Sequence, residues 1–140
     1  MYDHILIPTD GSDGSGAAVD SGFDLARRYD ATVHLLYVVD DDVYGHYGGV
    51  DAIENAEPAL EEQGERVLSA AAAEADGVEV TTDIVRGRPH EEILACADDV
   101  DADLVVMGTE QHTGDYRRLL GSVTERVVRM SDGPVHVVKS

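Results

Sequence analysis

The sequence predicts an α/β fold, a doubly wound five-stranded parallel sheet with four helices. Three observations carry this. Short β-branched apolar runs alternate with segments whose apolar residues recur every three or four positions. The spacing between runs leaves room for crossover helices, which parallel strands require. Two runs end in site-like segments, Pro8-Thr9-Asp10-Gly11-Ser12 and Met107-Gly108-Thr109, and ligands of such sheets sit beyond the strand C-termini.

His4–Thr9 opens the chain as a short strand. A helix starts near Ser12, because Ala18, Gly22, Leu25, Ala26 and Tyr29 share one helical face. Thr32–Val39 is a stronger second strand. Asp40–Ala56, rich in Asp, Gly and Tyr, reads as a loop, and Leu60, Gly64, Val67, Leu68, Ala71 and Ala75 mark a second helix. Glu79–Arg86 alternates as a strand with one face less buried. Gly87-Arg88-Pro89 turns into a third helix, with proline in the first turn where no N–H is needed; Ile93, Ala97 and Val100 form its apolar side. Leu104–Met107 is a buried strand, Ser122–Met130 a fourth helix, and Val135–Lys139 the last strand, after Asp132-Gly133-Pro134. Right-handed crossovers then cover both sheet faces.

At 140 residues the chain reads as one domain, 1–140, able to bury a core. It shows no bilayer-length apolar run and no basic-then-apolar leader, so the expected location is the cytoplasm. The single cysteine, Cys96, reads as a small buried hydrophobe in a reducing compartment. The formal charge is −19, with Lys139 the only lysine beside nine arginines. Such self-repulsion destabilises a compact state in dilute buffer, and at ~1 M salt the Debye length of about 3 Å removes most of it. The charge therefore reads as adaptation to a salty cytoplasm, as in halophilic archaea, against the plainer alternative of an ordinary acidic protein. Without a basic patch, nucleic acid and anionic membranes are poor partners.

The stretch from Val105 to Glu125 carries the most chemistry. An apolar run stops at Gly108, a long polar loop follows, and Gly121-Ser122 opens a helix. Unobstructed N–H groups at the positive end of a helix are what a phosphate needs.

At these residues the chain resembles the universal stress protein family over essentially its full length. Pro8-Thr9-Asp10, Tyr37-Val38-Val39-Asp40, Gly87-Arg88-Pro89, Met107-Gly108 and Leu119-Leu120-Gly121-Ser122-Val123-Thr124-Glu125 carry the likeness. The resemblance implies a Rossmann-like adenine-nucleotide-binding sheet of strand order 3-2-1-4-5. It also implies ATP as ligand, with Mg2+ as its companion ion, and a regulatory stress-response role. ATP-binding members are similar to Gly, two residues, Gly, nine residues, Gly and Ser or Thr. Here Gly108 and Gly121-Ser122 fit, and Gln111 replaces the middle glycine. A Cβ there costs roughly 1–2 kcal/mol in a left-handed geometry. Glu110 adds unfavourable charge, offset by His112, Arg117, Arg118 and the open turn at Gly114.

The residues that the resemblance assigns to the nucleotide are Pro8, Thr9, Asp10, Val38, Met107, Gly108, Gln111, Gly121, Ser122 and Val123. Asp10 would accept hydrogen bonds from adenine or ribose, yet it equally suits a cap for the first helix. Val38 and Met107 would wall the adenine, or simply be core. Ser122 and Val123 would offer N–H groups to phosphate, while Ser122-x-x-Glu125 alternatively forms a capping box. Tyr44-Gly45-His46-Tyr47 is either a cover for the base or a solvated loop. The six histidines lack metal-ligand spacing; His4, His34 and His136 fall on strands, where they pack or sit at an edge.

Three functions fit: a regulatory ATP binder, a slow ATP hydrolase, and a dimeric interaction protein without nucleotide. No residue is assigned to catalysis, since no lysine is placed for the β/γ-phosphates and no general base beyond Asp10. A phosphoacceptor receiver would need Asp where Arg86 stands, and a flavodoxin a Thr/Ser-rich loop after the first strand. In the implied strand order Val135–Lys139 is an edge, expected to pair with a second copy in a symmetric homodimer.

Overall fold

Alternation along the strands decides which helices cover them. The computed structural model describes residues 2–40, 50–109 and 121–139, with 50–58 as backbone only. In β1 (His4–Pro8) Ile5 and Ile7 turn to one face and Leu6 to the other; in β2 (Thr32–Asp40) Val33, Leu35, Tyr37 and Val39 oppose Leu36 and Val38. In β4 (Leu104–Gly108) Leu104 and Val106 oppose Val105 and Met107. The first set packs on Ala18, Val19, Phe23 and Ala26 of α1 (Asp13–Tyr29) and Leu68 of α2 (Val50–Ala72). The second packs on Ile93 of α3 (Pro89–Asp99) and Val127 of α4 (Ser122–Met130). With β3 (Val80–Gly87) and β5 (Val135–Val138) the sheet runs β3-β2-β1-β4-β5, parallel throughout. This is the predicted doubly wound architecture, with four helices among the described residues.

Several element boundaries and one helical face depart from the sequence reading. Strand β1 ends at Pro8, β2 runs on to Asp40, β3 is Val80–Gly87 and β4 runs on to Gly108, each a one-residue difference. Helix α2 begins at Val50, so Val50–Ala56 is helix, not loop. Its Ala and Glu content favours the helix once the polar 41–49 stretch is passed. Strand β5 stops at Val138, one residue short of Lys139. On α1 the buried stripe includes Val19 and Phe23, while Tyr29 is exposed and meets Tyr2 edge-on. Gly64 of α2 is required by packing, since a Cβ there would lie 2.6 Å from the Tyr37 ring.

At β5 the Pro134 and Val138 carbonyls accept from Val105 and Thr109 N–H groups of the β4 side. The N–H and C=O of one strand residue point the same way, so Val135 and Val137 present theirs to the open edge.

The strand histidines pair. His4 Nδ1 lies 3.1 Å from His34 Nε2, and His34 Nδ1 lies 2.6 Å from Thr81 Oγ1, linking β1, β2 and β3 at their N-terminal ends. Burial, with His4 alongside, holds the His34 pKa below its ordinary 6.5, and Glu79 opposes this. A base with a depressed folded pKa contributes stability fully present above the unfolded value, lost as pH falls towards the folded one. The melting temperature in high salt should therefore decline as pH drops below 6.5, and His34→Gln should flatten that slope between about pH 5 and 7. Identical slopes in the two proteins would remove His34 from the account. His136 is exposed on β5.

Cys96 is half-buried among the α3/α4-side apolar residues, and burial, with Asp83, Asp99 and Glu92 nearby, pushes its thiol up to about 11. Its chemistry is that of a small hydrophobe, as the sequence suggested.

Candidate functional site

The sheet opens where β1 and β4 part, and Pro8 sets the place. The His4 carbonyl accepts from Asp103 N–H at 2.8 Å, so the even residues of β1 address β4; Thr9 N–H donates to the Leu36 carbonyl at 2.9 Å, so the odd ones address β2. Pro8 falls on the β4 side and has no N–H, so the ladder cannot continue there. The β1–β4 register accordingly holds Ile5↔Leu104 and Leu6↔Val105, whereas β1–β2 pairing reaches Pro8↔Leu36. This is also where the strand order reverses, the position of ligand crevices in open α/β sheets.

A cleft of about 300 Å³ lies beyond this point. Leu36, Val38, Ile93 and Met107, with Pro8 and Pro89, form its apolar side. Thr9, Asp10, Ser12, Ser15, Asp40, Thr109 and Thr124 bring polar groups, and Gly108, Gly121 and Val123 complete the wall. Eight of the ten residues predicted from sequence are therefore together: Pro8, Thr9, Asp10, Val38, Met107, Gly108, Gly121 and Val123. Ser122 is the first residue of α4, next to two of them. Gln111 lies outside the described residues, as do Glu110, His112, Gly114, Arg117, Arg118 and Tyr44-Gly45-His46-Tyr47.

The turn after β1 is tied by short polar side chains. Ser12, not Asp10, caps α1, its hydroxyl accepting from Ser15 N–H at 3.3 Å. Asp10 Oδ1 accepts from Ser12 N–H at 2.9 Å, an Asx-turn that shapes the approach to the helix, with Gly11 at φ +84°. The cap alternative for Asp10 is thus corrected: two residues earlier, it is too far back to reach the first-turn donors. Beneath it the buried Thr9 hydroxyl donates to Ser15 Oγ at 3.0 Å, and Ser15 Oγ donates to the Ser12 carbonyl at 3.1 Å. Burial, with the Asp10 carboxylate as a second cause, raises the Tyr37 pKa.

The capping box at α4 does not form. The N-cap is Gly121, with extended φ −72° and ψ 162° and no side-chain cap; Ser122 already sits inside the helix. Glu125 pairs with Arg129 at 2.6 Å in place of reaching back. A capping box needs its hydroxyl at the N-cap, and this helix starts one residue too early for that. The first-turn N–H groups of α4 have no acceptor within the helix and carry its positive pole. That terminus borders the cleft.

Gly108 has a packing reason of its own. A Cβ there would fall on the Gly14 carbonyl of α1, so the glycine is needed for the helix to lie against β4. Among the described residues no group of three or more His, Cys, Asp or Glu converges on a metal.

The family model for universal stress proteins matches residues 1–139. The chain belongs to the universal stress protein family. It is 40% identical over 141 residues to universal stress protein MJ0531 of Methanocaldococcus jannaschii, covering 99% of this chain and 83% of that one. The solved structure of MJ0577 from the same organism superposes with a TM-score of 0.88 at 33% identity, over 100% of this chain and 97% of that one. A universal stress protein solved in complex with cAMP matches at a TM-score of 0.71 and 27% identity, over 99% and 97% of the two chains. Membership in this family sets aside the receiver and flavodoxin alternatives.

The universal stress protein cleft also holds residues not assigned to the nucleotide from the sequence: Ser12, Ser15, Leu36, Asp40, Pro89, Ile93, Thr109 and Thr124. Leu36 was findable, since it stands two before Val38 and shares its face. Asp40 and Thr109, two residues after Val38 and Met107, were findable in the same way, and the others approach through the packing of α1, α3 and α4.

Proposed function

We propose that this universal stress protein is a regulatory adenine-nucleotide receptor that takes ATP in the cleft beyond β1 and β4. One observation carries the reading: a helix terminus without a side-chain cap and an apolar wall face one crevice at the strand reversal. The apolar wall suits a planar base and the helix terminus suits an anion, and a nucleotide joins the two. That a solved relative is a cAMP complex supports the same ligand class. In this reading Val38 and Met107 flank the base, and Asp10 accepts from ribose or adenine beside Pro8 and Thr9. Gly108, Gln111, Gly121, Ser122 and Val123 surround the phosphates, with Mg2+ arriving on the phosphates themselves. The protein works in a salt-rich cytoplasm of the halophilic kind, where ATP occupancy alters its contacts.

Mass spectrometry of ligand released from freshly purified protein tests this. ATP supports the receptor, ADP or AMP the slow hydrolase, and no nucleotide after incubation with ATP the purely dimeric interaction protein.

The assembly belongs to the same proposal: a symmetric homodimer through β5. The outward N–H and C=O of Val135 and Val137 support it, as do exposed Val128 and Met130 on the neighbouring α4. Val137→Pro removes an outward donor and should shift the protein to monomer. Light scattering in high-salt buffer at tens of micromolar decides it, and a wild-type mass of 15.0 kDa would defeat the edge-strand argument.

A further inference from the structure

We infer that Thr124 is the positioning residue that aims the α4 terminus at the cleft. The inference rests on the nucleotide reading and deepens it. The Thr124 hydroxyl donates to the Gly108 carbonyl at 2.8 Å, joining the first turn of α4 to the last residue of β4. Thr124 is 5% exposed, so the bond is shielded from competing water. No side-chain cap holds this helix end in its place, since Gly121 has no side chain and Glu125 is engaged by Arg129.

Gly108 is in turn pressed against the Gly14 carbonyl of α1. Three elements thus meet at one residue: β4 supplies Gly108, the Gly14 carbonyl of α1 lies against its Cα, and the α4 hydroxyl grips its carbonyl. Thr124 fixes the distance and tilt of the Ser122 and Val123 N–H groups relative to the apolar wall. Without its hydroxyl, the base side of the cleft is intact while the anion side drifts. Its role is therefore selective for the phosphate end of the ligand.

Thr124→Val keeps the shape and removes the donor, and Thr124→Ser keeps the donor. Titrations of ATP and adenosine into each variant in high salt separate the two ends of the site. The expected result is ATP affinity lowered about tenfold in Thr124→Val, because the Ser122 and Val123 N–H groups are no longer held in place. Adenosine affinity should be unchanged, and Thr124→Ser should restore ATP binding. Thr124→Ala, which puts no methyl against the carbonyl, is measured alongside so that a folding failure of the valine variant leaves the test intact. Equal loss for ATP and adenosine, or no loss for ATP, would overturn the positioning role. If the wild type binds neither ligand, the nucleotide reading itself fails, a result distinct from both.

Discussion

Moving this protein from molar KCl into dilute buffer is expected to unfold it. The net charge is −19 over 140 residues. Arg28–Asp24 at 3.3 Å, Arg88–Glu91 at 3.9 Å and Arg129–Glu125 at 2.6 Å are ion pairs that are local and exposed. Such pairs contribute about 0–1 kcal/mol each. Like charges also lie close: the neighbouring Asp20 carboxylate raises the Glu74 pKa. Salt supplies the screening, with a Debye length near ~3 Å at 1 M against about 10 Å at 0.1 M. Circular dichroism along a KCl series should show the helical signal collapsing below roughly a few hundred millimolar. A melting curve indifferent to salt would remove the halophilic reading.

Gly108→Ala is expected to be the most damaging single methyl at the site. The added carbon would overlap the Gly14 carbonyl, which is backbone and cannot rotate away. Relief requires α1 to move off β4, at a cost of about 3 kcal/mol or more, the upper range for overpacking. Gly16→Ala on the same helix is the control. Its Cβ meets nothing within 4 Å, and replacing an exposed helical glycine should stabilise by about 0.5–1 kcal/mol. Chemical denaturation in high salt compares them. Equal stability of Gly108→Ala and wild type would show that the α1–β4 approach is looser than described.

The strands and the ends of most helices were legible because they are local. Period-two alternation placed Ile5, Leu6 and Ile7 correctly, and Pro89 marked the start of α3. The start of α2 was illegible for a local reason too, since Pro58 lies inside the helix where proline normally argues against one. Eight site residues were legible because three strand ends and one helix start carry them. What was not legible depends on chain crossings. Thr124 gripping Gly108, Ser15 under Thr9 and Ile93 behind Met107 join segments that only the folded sheet brings together. The capping alternatives at Asp10 and Ser122 show a subtler limit. Both were chemically sound, and the residue that occupies the N-cap decided against them: Ser12 holds it at α1 and Gly121 at α4.

The central claim is that an adenine nucleotide fills the cleft beyond β1 and β4. Calorimetric titration of ATP with Mg2+ into the protein in molar KCl tests it most directly. The account predicts one site per chain with micromolar affinity, about −8 kcal/mol. It also predicts binding weakened at least about tenfold in Asp10→Ala, the loss of a hydrogen bond to a charged group, and binding tightened in Gln111→Gly. No heat from wild type or Gln111→Gly, and no displacement of a fluorescent ATP analogue by ATP from either, would contradict it.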